Sequence, residues 1–198
     1  MKAADHITNQ TYDRIAADFA ERYWNVVLEQ ALNSFSKLVG GERLVMDLGC
    51  GPGRDVGLLR ERGLTVFGAD RSIGMLREAQ RRVGGAFINT DMRHLPLRTS
   101  SLDGVWMCAS LLHIPRVDVP GVLAEVHRVL NTNGVLYLSV QEGTGEAWMD
   151  TDGGKRFFTY FSASELQNLL SDAGFSIHES WVNPGAHHPW LSVLGVRH

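Results

Sequence analysis

An α/β fold, doubly wound around a mostly parallel sheet and closed by a C-terminal antiparallel hairpin, is predicted by three features of the 198-residue sequence. Apolar periodicity switches regularly between strand-like and helix-like windows. The strand-like windows are short continuous apolar runs, as expected of strands buried on both faces. The last two of them follow one another with no helix between. Strand-helix alternation implies parallel neighbours, because a crossover is needed to return the chain in the same direction, whereas consecutive strands without one pair antiparallel.

The elements follow in order. Tyr12, Ile15, Ala16, Phe19 and Tyr23 recur at helical spacing, and Val27, Leu28, Ala31, Leu32, Phe35 and Leu38 do so again before Gly40-Gly41. Two amphipathic helices therefore precede the sheet. Leu44 to Leu48 is the first strand, followed by a helix from Arg54 to Arg62 that Gly63 stops. Leu64 to Asp70 is the second, and Ser72 is placed to cap a helix reaching Val83. Strands at 86–89 and 104–109 flank a loop containing Pro96. A helix from Pro120 to Leu130 leads through Gly134 into a fifth strand, 135–140. Ser162-x-x-Glu165 forms a capping box for a last helix ending at Gly174. Phe175–Trp181 and Trp190–Val196 make the hairpin.

The whole chain, 1–198, reads as one domain, with no repeat, low-complexity tract or linker. At this length a chain buries roughly 70% of the surface its unfolded form exposes, enough for a core without staples. No apolar run approaches the ~20 residues of a membrane span, and Met1 to His6 do not resemble a signal peptide. Cys50 and Cys108 lack paired spacing, so reduced thiols and a cytoplasmic location are expected. Net charge is −3, against a strongly basic phosphate-tracking surface. Residues 54–98 nevertheless hold nine arginines against five acids, mostly on faces expected to be solvated.

Open sheets of this kind bind ligands beyond the carboxyl ends of the strands, where the first strand turns into the first helix. That turn is Gly49-Cys50-Gly51-Pro52-Gly53. Alternate glycines remove Cβ atoms and let a ligand approach the main chain, and the helix behind offers free N–H groups. A G-x-G-x-G run alone also suits dinucleotide and phosphate sites. Asp70 adds weight: at the end of the second strand, its carboxylate is placed to accept hydrogen bonds from both hydroxyls of a ribose. A nicotinamide dehydrogenase would share that arrangement, but Arg54-Asp55-Val56-Gly57 breaks the G-x-G-x-x-G spacing.

Over nearly its whole length the chain resembles the class I S-adenosylmethionine (SAM)-dependent methyltransferases. Val45 to Gly53 is similar to the family's first motif, Gly68 to Leu76, including Arg71, to its ribose-binding turn, and Thr90-Asp91-Met92 to its adenine-contacting turn. Ser101 to Val105 and Phe157 to Phe175 are similar to its fourth strand and last helix. The resemblance implies a Rossmann-like sheet of seven strands, SAM as methyl donor and S-adenosylhomocysteine (SAH) as product. It also implies that Gly49, Cys50 and Gly51 pass beneath the methionine portion, that Asp70 holds the ribose and that Asp91 accepts from the adenine amino group. Met75 and Met92 would border the ring, and backbone at Cys108 and Ala109 would face the methionine ammonium group. Asp47 has two readings, ligand contact or a brace for the glycine loop through backbone N–H groups.

His113, after the fourth strand, is the candidate catalytic residue, as a general base or a hydrogen-bond partner of the substrate, with a structural loop histidine as the other reading. Methyl transfer from a sulfonium depends largely on orientation and desolvation, so a base is not obligatory. Residues 1–40 form a candidate helical lid, in which Tyr12 is a candidate cofactor contact. Residues 141–161 form a candidate substrate loop carrying Trp148, Arg156, Phe157, Phe158 and Tyr160. His178, His187, His188 and His198 lack metal-ligand spacing, and no metal is expected. The expected partner is a small-molecule methyl acceptor, with neither membrane nor nucleic acid. A tRNA or protein acceptor, or a non-catalytic SAM- or SAH-binding protein with its acceptor space plugged by Trp148 or Tyr160, are the alternatives.

Overall fold

A computed structural model describes residues 3–151 and 153–198. Residues 1 and 2 of the expected lid and signal-peptide test, and residue 152 of the expected substrate loop, lie outside it. The chain runs α1 (Ala3–Tyr23), α2 (Glu29–Val39), β1 (Leu44–Leu48), α3 (Arg54–Glu61), β2 (Thr65–Asp70), α4 (Ile73–Arg82), β3 (Phe87–Asn89) and β4 (Leu102–Cys108). It continues through α5 (Val119–Val129), β5 (Leu130–Gln141), β6 (Glu146–Thr151), β7 (Gly154–Thr159), α6 (Ala163–Asp172), β8 (Phe175–Asn183) and β9 (Trp190–Arg197). Seven strands form one sheet in the order β3-β2-β1-β4-β5-β9-β8, in which β9 alone runs against its neighbours. The predicted fold class and terminal hairpin are therefore present.

Strand alternation divides the core into two layers. On β4, Val105 and Met107 face one layer while Trp106 between them faces the other; on β5, Leu136 and Leu138 alternate with Tyr137 in the same way. The first layer is completed by α5 and α6 through Val122, Val126, Leu166 and Leu170. The second is completed by α2 and α3 through Leu32, Phe35, Val56 and Leu59. Trp106 stacks on Tyr137 with centroids 3.9 Å apart and donates its indole N–H to Asp55 at 3.0 Å, so its polar edge is satisfied inside the core.

Two segments differ from the sequence expectation. The fifth strand begins at Leu130, five residues early, because Leu130 already pairs with Leu102 before the ladder shifts register and resumes at Gly104–Val135. Asn133, at φ 65°, makes the excursion, and Asn131 anchors it by donating to Asp103. The expected loop at 141–161 is a two-stranded hairpin, β6 with β7, separate from the main sheet. Among the described residues, no helix is long and apolar enough to cross a membrane, no group of three or more acids, histidines and cysteines is placed to hold a metal, and both cysteines are free.

The first helix lies over the carboxyl end of the sheet, packed on α4 and β7. Asp13 accepts from the Ser72 hydroxyl at 2.6 Å and from Gly74 N at 2.8 Å, while Thr8 accepts from Phe157 N and Thr11 donates to Lys155 O. Gly74 permits this approach: a Cβ there would sit 2.7 Å from the Asp13 carbonyl oxygen.

Candidate functional site

The sheet order reverses between β1 and β4, and a cavity of about 550 Å³ opens at their carboxyl ends. Tyr12, Gly49, Cys50, Gly51, Asp70, Arg71, Met75, Asp91, Met92, Cys108, Ala109 and His113, all singled out in the sequence, line this one space.

The floor is the turn after β1. Gly49 takes φ 82°, and a Cβ there would lie 2.3 Å from the Ser110 Cβ, so no other residue fits without moving the backbone. Ser110 donates to Leu48 O at 2.7 Å, tying the ends of β1 and β4. The carboxylate that braces the turn is Asp70: Oδ2 accepts from Gly51 N at 2.9 Å and Oδ1 from Ser72 N at 2.8 Å. Burial raises its pKa, and backbone N–H groups hold the rise in check.

Asp47 does not brace the turn by any hydrogen bond described. It is 2% exposed, and its Oδ2 is buried with no partner among the described residues. Burial, with the charge of Asp55 added, pushes its carboxyl well up. A buried unpaired carboxylate oxygen beside a cavity is costly unless a donor or cation arrives. Arg54 does not supply one, because it is held bidentate by Asp55 at 2.6 and 3.0 Å and also donates to Tyr23 O.

Asp91 is engaged: Arg93 binds both its oxygens, and Arg71 approaches at 3.3 Å, holding the carboxyl below its usual range. After β4, Ala109 adopts φ 52° and its N–H donates to both Ser139 Oγ and Ser139 O. Burial raises the Cys50 and Cys108 thiols well above their ordinary pKa, so both are protonated at neutral pH and poor nucleophiles.

A second cluster joins α1, the turn after β4 and the β6–β7 hairpin. The Tyr12 hydroxyl lies 2.7 Å from His113 Nε2, and His113 Nδ1 lies 2.7 Å from Phe157 O. A carbonyl only accepts, so Nδ1 carries the proton and Nε2 accepts from Tyr12. Burial lowers the His113 pKa to about 4, keeping it neutral, and raises that of Tyr12. Arg156 donates to Tyr12 Oη at 3.0 Å and Thr151 Oγ1 at 3.1 Å, and its guanidinium faces the Tyr12 and Phe158 rings.

Of the aromatic residues expected in the substrate segment, Phe158 lines the cavity, whereas Trp148 is 41% exposed and neither it nor Tyr160 enters. Phe158 and Phe161 are buried, with Phe157 half-buried beside Trp148. His188 bonds Glu142 O in the β8–β9 connection. Arg82 pairs with Glu21 and Glu78, and Arg81 with Glu78, away from the site. Sequence reasoning did not single out Asn183, Trp190 and Ser192, which reach the cavity from the terminal hairpin. Arg156 was visible only as part of a mixed loop. The Asp152-Gly153 dipeptide, a hairpin signal, would have placed it on a strand.

The residues present fit an adenosyl sulfonium on three observations: the Gly49 cradle that a Cβ would fill, the Asp70 carboxylate beside it, and the orphaned Asp47 oxygen. Comparison with known proteins agrees. Residues 45–134 match the methyltransferase domain family. A malonyl-[acyl-carrier protein] O-methyltransferase of Serratia marcescens is 33% identical over 139 residues, covering 66% of this chain and 52% of that protein. The chain thus spans about half the length of that relative. Two solved structures share the fold. One is the 1,6-didemethyltoxoflavin N1-methyltransferase of Burkholderia thailandensis with bound 1,6-didemethyltoxoflavin and SAH (TM-score 0.74, 24% identity, 100% of this chain and 92% of that one). The other is the magnesium protoporphyrin IX methyltransferase of Synechocystis with bound SAM (TM-score 0.76, 19% identity, 100% and 99%). Residues 45–134 thus match a methyltransferase domain, and around the same turn the chain has the fold of solved SAM-dependent methyltransferases.

Proposed function

We propose that this chain transfers a methyl group from SAM to a small-molecule acceptor. The carrying observation is the Asp70 bridge, which fixes a carboxylate against the glycine turn in the same cavity as the Tyr12–His113 pair. Bound SAM supplies an electrophilic methyl on a sulfonium. In this reading Asp70 takes the ribose hydroxyls with the carboxylate lone pairs left over from Gly51 and Ser72. Asp47 faces the positive charge of the methionine portion, which relieves its buried oxygen. Met75 and Met92 flank the adenine, whose amino group faces Asp91. Helix α1 closes the space against water, which favours a displacement that spreads charge. The cavity is not plugged by Trp148 or Tyr160, which weighs against a purely binding role.

Two experiments test it. Calorimetry should show SAM and SAH binding at one site per chain. Labelled SAM incubated with RNA, protein and metabolite fractions should place label in the metabolites. No binding overturns the cofactor reading, and label in RNA or protein alone overturns the acceptor reading.

A further inference from the structure

The Arg156 guanidinium stands out among the charged groups lining the cavity. Arg54 is neutralised by Asp55 and Arg71 by Asp91, whereas Arg156 has no carboxylate partner among the described residues. Two of its five N–H donors are used, on Thr151 and Tyr12, and both partners are neutral. It stands between aromatic faces, where water screens a charge poorly. A guanidinium held in this way, with donors to spare, is a receptor for an anion, and its planar fork matches a carboxylate.

The same cluster offers no free base. The His113 Nε2 lone pair is occupied by the Tyr12 O–H, and Nδ1–H by Phe157 O. An acceptor that must lose a proton on attack would find nothing unengaged there to take it. A carboxylate needs no base.

We propose that Arg156, steadied by Tyr12 and Thr151, anchors the carboxylate of a carboxylic-acid acceptor, and that this carboxylate is the group methylated. The inference rests on the methyl-transfer reading above. The carboxylate oxygen forms the O–CH3 bond with its own lone pair as the S–CH3 bond breaks, and that bond's pair returns to sulfur. Anion and sulfonium give a neutral ester and a neutral thioether, and no proton moves. One carboxylate oxygen rests on the guanidinium, which leaves the other for the methyl. The Tyr12–His113 pair acts here as a positioning element, holding the phenol oxygen where it accepts from Arg156.

The test uses labelled SAM and the extract fraction that takes the label. A methyl ester is hydrolysed by mild alkali, which releases the label as volatile methanol, whereas methyl on nitrogen, sulfur, carbon or an ether oxygen stays. The expected result is alkali-released methanol, retention of the unmethylated acceptor on an anion exchanger, and a loss of transfer of roughly tenfold or more in Arg156→Gln with the SAH dissociation constant within about twofold of wild type. Arg156→Lys, which keeps the charge without the fork, should recover part of the transfer as the fraction is concentrated, and it carries the test should Arg156→Gln fail to fold. Alkali-stable label overturns the proposal and leaves the methyltransferase reading standing. So does a variant whose SAH binding falls as far as its transfer, because Arg156 would then hold the cofactor's own carboxylate. Absence of label from every fraction, by contrast, removes the methyl-transfer reading and this inference with it.

Discussion

Tyr12 and His113, 101 residues apart, share a 2.7 Å hydrogen bond between the phenol oxygen and the imidazole Nε2. The bond joins α1 to the turn after β4, and the rings also meet edge to face at 5.3 Å. Both partners are held from the far side, His113 by Phe157 O and Tyr12 by Arg156, so α1, the sheet end and the hairpin converge on one pair.

Removing the phenol oxygen leaves two part-buried groups short of a partner at once. Tyr12→Phe keeps the ring and its contact with Phe19 but strands the His113 lone pair and one Arg156 donor. The expected cost is about 1–3 kcal/mol of stability, read by denaturant unfolding. Methyl transfer should fall as well, because Arg156 loses the contact that aims it. Wild-type stability in the variant would mean that the bond is not made in solution.

His113 should leave a signature in the pH dependence of stability. Its folded pKa of about 4 lies below the unfolded value of 6.5. Above pH 6.5 both states are neutral; between 6.5 and 4 the unfolded chain takes up a proton that the folded chain refuses. Stability therefore falls as pH drops through that window, by roughly 3 kcal/mol in total, and levels off below it. Asp47 and Asp70, with raised pKa values, act in the opposite direction, so the informative quantity is a difference. Wild type minus His113→Gln, measured by urea midpoints from pH 7.5 to 4, should show the loss. A flat difference would mean that the imidazole is solvated.

How much of this site was legible beforehand depended on whether the signal was local. The Gly49–Gly53 turn and Asp70 are written in contiguous residues, because a positive φ and a strand-end acid leave one-letter traces. The Ser162 cap and the terminal hairpin were readable for the same reason, each being set by residues near in sequence. The Tyr12–His113–Arg156 cluster was not, since its members lie on three elements whose meeting depends on tertiary packing. The early start of β5 escaped because Asn131-Thr-Asn-Gly134 has the composition of a turn, and pairing with β4 overrides it. That Asp70, not Asp47, takes the Gly51 N–H was not legible in the sequence either.

Asp70 should show opposite effects on binding and on stability. Its charge is disfavoured by burial in the folded chain, so Asp70→Asn removes a desolvated charge while Asn Oδ1 still accepts one backbone N–H. Melting temperature should hold or rise. SAH affinity should fall by roughly 1.5–3 kcal/mol, the worth of charge-assisted hydrogen bonds to a ribose. Calorimetry and thermal melts on the same samples read both, and unchanged SAH affinity would remove Asp70 from the cofactor site.

The docking of α1 turns on Gly74, where general helix energetics and this structure predict opposite signs. At an exposed position in a helix, Gly→Ala stabilises by about 1 kcal/mol through the unfolded chain. Gly74 is in the first turn of α4, but its Cβ would meet Asp13 backbone atoms at 2.7 and 2.9 Å, and backbone cannot swing aside as a side chain can. Gly74→Ala should therefore push α1 off α4, break the Asp13 bonds to Ser72 and Gly74, and lower the melting temperature. Limited proteolysis should then cut within α1 first, while the sheet core, which α1 does not complete, resists. With α1 displaced the cavity loses Tyr12 from its wall, so SAH affinity should drop without any change at the glycine turn or Asp70. A rise in melting temperature would show instead that α1 does not rest on α4 in solution, and Tyr12 would then be free of His113.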